Sequence, residues 1–263
     1  MIKQSYRRIY SDYLMPNRFG LYRHIIEAAL EKGYEHYTIY DFYKLMKSGN
    51  PTNKKIFIHR HDIDTDPAGS RKYFEIEKAM GIKASYYFRL STLDIKLMKE
   101  INNYGSEVSY HYEELATYCK QNKIKSSVEV NKHLEKIKIQ FANNFKLLEN
   151  KTGIKFRTVA SHGDFVNRKL KLSNNYFLDT DLREQLNIEA ETYDPIFLNN
   201  YSATISDKEA PVYFSPMSPF DALDKNYPVI YLLSHPRQWR TNFLLNTKDN
   251  IQRLTEGIAY DYL

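Results

Sequence analysis

A single cysteine, Cys119, stands among 263 residues, so the chain can form no internal disulfide and no Cys-rich zinc site. Any bound metal would have to be held by histidine and carboxylate side chains. That usage fits a reducing compartment. No stretch approaches the ~18–20 apolar residues of a membrane span. The basic start Met1-Ile2-Lys3-Gln4-Ser5-Tyr6-Arg7-Arg8 is not followed by the apolar core of an export signal, and the expectation is a cytoplasmic protein. A concentrated basic stripe is also missing. The lysines are spread through the chain and interleaved with Glu, so the net charge of +6 and the 23 tyrosines read as a solvated surface and packing, not as a nucleic-acid interface. A weakly positive surface also suits anionic substrates such as sugar nucleotides. No repeat or low-complexity linker divides the chain, and 42% hydrophobic residues suffice for a substantial core.

Residues 1–50 read as a helical N-terminal extension. Leu21, Ile25, Ala28 and Ala29 mark an apolar face that Gly33 ends, and a shorter helix is expected near Tyr40 to Met46. From residue 51 to 263 the pattern becomes strands alternating with helices, the signature of a parallel α/β sheet or barrel. Ile56–His61 is the first expected strand; Asp66-Pro67 offers an N-cap and a first-turn proline for the helix after it. Further strands are expected at 84–90, 107–111, 156–161 and 229–233. Ser126 and Glu129 resemble a capping box opening one long helix through Leu148, and the stretch up to about Asp207 is Asn-rich and irregular.

The most informative residues are His59-Arg60-His61-Asp62-Ile63-Asp64-Thr65, directly after Ile56-Phe57-Ile58. A buried strand gains nothing from unpaired polar groups, which cost roughly 2–7 kcal/mol each when unbonded, so the cluster points to a metal or an acid/base pair. Strand alternation turns Asp62 and Asp64 to one face and His59 and His61 to the other. His111, His162 and His235 also fall at the C-terminal ends of expected strands, the rim where parallel α/β barrels build active sites. Structural alternatives are salt bridges from Asp62 and Asp64 to Arg60 or Arg71, hydrogen-bonded rim histidines at 111 and 235, and a turn at His162-Gly163-Asp164. Tyr193 and Asn167 either touch substrate or pack.

The segment Ile58-His59-Arg60-His61-Asp62-Ile63-Asp64 resembles the first motif of the polysaccharide deacetylases, the NodB-homology carbohydrate esterases of family four, in an Arg-His-Asp-x-Asp variant. Gly105-Ser106-Glu107-Val108-Ser109-Tyr110-His111-Tyr112-Glu113 resembles their second motif. Arg157 through Ser161-His162-Gly163-Asp164 and Leu232-Leu233-Ser234-His235-Pro236 resemble later ones. The resemblance implies a distorted (β/α) barrel of about seven parallel strands. It also implies a divalent metal, Zn2+ above all, and hydrolysis of an acetyl amide or ester on an amino sugar. By position Asp64 would ligate the metal and Asp62 would act as general base, or the reverse; His111 would be a ligand, His235 the general acid, and Arg157 the arginine that orients the base. A bound metal lowers the pKa of water from 15.7 toward ~7 and polarises the carbonyl.

One departure is plain. The family's second metal histidine falls on Leu115, which cannot bind zinc, so His162 becomes the third ligand, with Glu113 the next choice. Two rival readings stand beside this one. His59-x-His61 also resembles the opening of amidohydrolases and phosphoesterases, which would put the imidazoles on the metal; and Leu115 would suit an inactive sugar-binding pseudoenzyme. The expected substrate is a nucleotide-linked or lipid-linked acetylated amino sugar in surface-polysaccharide assembly.

Overall fold

The computed structural model describes residues 2–49 and 53–262; the boundary expected at 50/51 lies outside them. Nine strands form one sheet: β1 (Tyr34–Tyr37), β2 (Lys55–Ile63), β3 (Ser85–Phe88), β4 (Glu107–Tyr112), β5 (Thr158–Ser161), β6 (Ala190–Glu191), β7 (Ala203–Asp207), β8 (Phe214–Ser215) and β9 (Val229–Ser234). The order is β6-β5-β4-β3-β2-β9-β7-β8, with β1 also on β2. Every pairing is parallel except β7 with β8. Helices flank a mostly parallel, curled sheet, a half-barrel form of the distorted α/β barrel that the motifs imply. Eight strands take part in parallel pairings where about seven were expected, because short strands arise in segments without a strand-like pattern.

β2 organises the sheet. Its first half pairs with β1, its second half with β3, and β9 runs along the other edge. Every residue from Ile56 to Ile63 is therefore buried, and such a strand needs no polar alternation. The extension expected to be helical also contributes β1. Gly33, in the left-handed region (φ 77°), ends the helix Phe19–Glu31, and Thr38 caps the helix Ile39–Lys47 by accepting from the Asp41 N–H. Four residues are left between them to pair with β2. The long helix expected from Ser126 is broken at His133 into Ser127–Lys132 and Leu134–Thr152. Asp66 sits at the N-cap position before Pro67, but its carboxylate makes no cap bond. It accepts instead from Arg240 Nε and Nη2 at 2.5 and 2.7 Å. No helix among the described residues is long and apolar enough to cross a membrane.

Sheet curvature decides what meets at the rim. β5 lies three strands from β2, about 14 Å away in a flat sheet, yet His162, just after β5, brings Nε2 to 3.6 Å from Asp64 Oδ2. Curling folds both C-terminal ends toward one point.

Candidate metal centre and active site

Asp64, His111 and His162 each offer a ligand atom within 4.8 Å of the others. His111 Nε2 is 3.1 Å from Asp64 Oδ1. Ligands about 2.0 Å from a tetrahedral zinc stand roughly 3.3 Å apart, so the spacing suits a shared cation. Asp64 Oδ1 is buried and has no hydrogen bond of good geometry, a vacancy in its bonding that a cation would fill. Burial alone would push the Asp64 carboxyl up, but His162 and His111 hold it well below the usual carboxylate range.

The imidazole tautomers follow from their partners. His111 Nδ1 lies 2.9 Å from the Ala160 carbonyl, which can only accept, so Nδ1 carries a proton and Nε2 is the atom turned toward Asp64. His162 Nδ1 meets Glu113 Oε2 at 3.1 Å, and Glu113 is gripped by Arg89 Nη2 at 2.7 and 2.8 Å. Glu113 therefore orients His162 and stands outside the ligand trio. Both histidines present Nε2 inward, the arrangement that fixes metal-binding imidazoles. Burial would lower the His162 pKa, but Asp64 and Glu113 raise it to about 9 without a metal. Leu115 is fully buried in the core.

Asp62 lies beside this trio, 3.4 Å from His111 Nε2. Its two oxygens accept from Arg60 Nε and Nη2, both at 2.7 Å, and Arg60 also donates to the Tyr231 hydroxyl at 3.0 Å. Burial opposes ionisation of Asp62, yet Arg60, followed by His111 and His235, keeps its pKa below the ordinary value. Arg60 is on the face of Asp62 and Asp64 by the same alternation that paired them, so its place was legible from parity. The pairing foreseen as a structural alternative is thus made, while Arg71 pairs with Glu100 instead.

Arg157 is not brought to the site. It precedes β5, whereas His162 follows it, and five extended residues separate them by about 16 Å. Its side chain is 44% exposed and lies 3.8 Å from Glu189. The arginine expected to orient the base is therefore replaced, in position, by Arg60.

His235 completes the rim. Its Nδ1 bonds Asp207 Oδ1 at 2.7 Å, leaving Nε2 toward the site at 4.0 Å from Asp64 Oδ2. Asp207 also accepts from the His235 backbone N–H at 2.6 Å and from Trp239 Nε1 at 2.9 Å. Burial works against the imidazolium, but Asp207, Asp64 and Asp62 raise the His235 pKa to about 9. Asp207 was missed; the one signal for it is the short alternation Ala203-Thr204-Ile205-Ser206, which ends at it and forms β7.

His59 and His61 turn to the opposite side. His36 Nδ1 lies 2.9 Å from His59 Nε2, His59 Nδ1 lies 3.0 Å from the Tyr22 hydroxyl, and Tyr22 donates to Glu77 at 2.6 Å. Glu77 and Ser234, each at 2.6 Å, hold His61. The two imidazoles are occupied in this network, away from the Asp64 trio. Asn167 is also structural, accepting from the Asp164 N–H in a capping box. Tyr193 is half-exposed, with its ring centroid 5.1 Å from the Arg60 guanidinium carbon.

Two cavities open on the cluster. One, of about 650 Å³, reaches His162 and Arg89; the other, of about 270 Å³, reaches Asp64, Asp207 and His235. Both are walled by Arg8 and Asp12 of the helix Ile2–Tyr13 and by Arg253 of the helix Phe243–Tyr262.

The solved structures to which the chain is similar include two deacetylases. The Streptococcus pyogenes deacetylase PplD in complex with acetate is 12% identical, with a TM-score of 0.47 and 84% of each chain covered. The Bc1960 peptidoglycan N-acetylglucosamine deacetylase in complex with 4-naphthalen-1-yl-N-oxidanyl-benzamide is 17% identical, with a TM-score of 0.38, covering 79% of this chain and 85% of that one. Both are deacetylases. No family model matches the chain, and no curated protein matches it. At these identities the chemistry has to be read from the side chains.

Proposed function

We propose that this chain is a divalent-metal-dependent hydrolase that removes an acetyl group from an amino sugar or its conjugate, nucleotide-linked or lipid-linked, in surface-polysaccharide assembly. The observation that carries the reading is the meeting, on one rim, of the Asp64, His111 and His162 donors with an arginine-held Asp62 and an aspartate-held His235. Asp64 Oδ and the two Nε2 atoms would hold the cation, and an N2O donor set suits zinc. When bound, such a cation supplies Lewis-acid polarisation of the acyl oxygen and lowers the pKa of water. Asp62, kept ionised by Arg60, accepts the proton of the attacking water. His235, protonated at neutral pH and steered by Asp207, donates from Nε2 to the departing nitrogen or oxygen. In this chain the base is oriented by Arg60, two residues before it, and Arg157 takes no part.

Acetate release from a panel of N-acetylated sugar nucleotides, with and without chelator, tests the reaction; no release from metal-loaded protein refutes it. Metal content tests the site separately. Asp64→Ala and His111→Ala should each lose most of the bound metal, and unchanged content in both would dismiss the ligand set.

A further inference from the structure

The helix Phe243–Tyr262 is amphipathic the wrong way round for a chain that stands alone. Its inward side is polar along the first half, where Asn246 is fully buried and donates to the Asp12 carbonyl at 2.7 Å, Asp249 pairs with Arg237, and Asn250 bonds Asp12 Oδ2 at 3.0 Å; near its end Tyr260 is buried against Phe165. Its outward side carries Phe243, Leu244, Ile251, Leu254, Ile258 and Tyr262, between 47% and 84% exposed. A surface helix normally buries its apolar stripe and leaves the polar face in water.

Spacing specifies what the stripe fits. Leu244, Ile251 and Ile258 recur every seven residues, the a positions of a helix–helix seam, and Leu254 fills the central d position, with Thr247 and Asp261 at the outer two. The six side chains expose on the order of 600 Å² of apolar surface. That is the upper end of patches on monomers, and it approaches the ~800 Å² each partner of a stable dimer buries. Membrane-surface helices carry an excess of Lys and Arg. This helix has two cations, Lys248 and Arg253, against three acids, Asp249, Glu256 and Asp261, so an anionic bilayer is the poorer match.

We infer that the outward face of this helix binds the same face of a second copy of the chain, in an isologous two-fold dimer. An antiparallel pairing about the middle of the helix sets Ile251 of each copy against Leu254 of the other, a central apolar contact that the two-fold repeats, with Ile258 against Thr247 and Leu244 against Asp261 on either side. The same helix walls both cavities at the candidate site through Arg253, so dimerisation braces that wall.

Sedimentation equilibrium of the full chain across the micromolar range should give twice the 31.2 kDa chain mass. The double variant Ile251→Glu/Leu254→Glu should give a single mass while keeping the wild-type circular dichroism and Tm, since both side chains are exposed within the chain. A wild-type protein that stays monomeric overturns the inference, as does a variant that stays dimeric. Monomeric wild-type protein that co-sediments with anionic phospholipid vesicles overturns it in favour of a membrane.

Discussion

Replacing Arg60 by Met isolates the interaction on which the proposed base depends. Arg60 is fully buried and Asp62 nearly so, so the substitution leaves a carboxylate in the interior without its cation, and breaking a buried pair from one side costs about 3–5 kcal/mol. Asp62 can escape by taking up a proton. Relative to an ordinary carboxyl pKa of about 3.9, that costs about 1.4 kcal/mol per pH unit, or about 4 kcal/mol at pH 7. The wild-type carboxyl is held below its ordinary value, so its contribution is present above about pH 3.9 and lost below. The penalty in Arg60→Met should therefore grow from about 1 kcal/mol near pH 4, from the lost Tyr231 bond, to about 5 kcal/mol near pH 7, where the protonation cost adds to it. Urea denaturation of chelator-treated protein at pH 4 to 8 measures this directly. Adding Asp62→Asn should recover at least about 2 kcal/mol at pH 7, as coupling in a double-mutant cycle. A pH-independent penalty below about 1 kcal/mol would refute the account of Asp62 as a charge held by Arg60, and deacetylation should fail in Arg60→Met for the same reason.

Arg157→Ala should leave turnover within about twofold of wild type and stability within about 0.5 kcal/mol, as for other exposed side chains; a hundredfold loss of kcat/KM would restore it to the site. In the wild type, activity should fall as pH rises through about 9, where His235 loses the proton it donates. Asp207→Asn removes the anion that does most to raise that pKa. The alkaline limb should then move to or below the ordinary histidine value of about 6.5, and an unmoved limb in the pH profile of kcat/KM would dismiss the Asp207–His235 couple. Gly69→Ala, which elsewhere in a helix would stabilise by up to about 1 kcal/mol, should destabilise here by about 1–3 kcal/mol. The new Cβ would stand 2.7 Å from Pro236 Cβ, next to His235; thermal denaturation decides the sign.

The sequence by itself determined what is local. Hydrophobic runs and capping residues marked β2, β4 and β9 and the helices between them, and strand alternation set Asp62 and Asp64 on one face and His59 and His61 on the other. Alternation also held information that went unused, since Arg60 shares the parity of the two aspartates. What only the tertiary structure decided is which distant residues complete the site. Arg157 and His162 are five residues apart and lie at opposite ends of β5, and the curl of the sheet, not the motif they share, brings one to the rim and leaves the other outside. Asp207 reaches His235 because β7 pairs with β9, a long-range pairing that the short apolar-polar alternation Ala203-Thr204-Ile205-Ser206 does not specify. The sequence put His162 ahead of Glu113 as third ligand; in the structure Glu113 stands behind His162, in an ion pair with Arg89 and against His162 Nδ1. Short-range patterns reflect which way a side chain points from its own backbone. Convergence depends on how far the sheet bends between strands, and that is set by packing across the whole core.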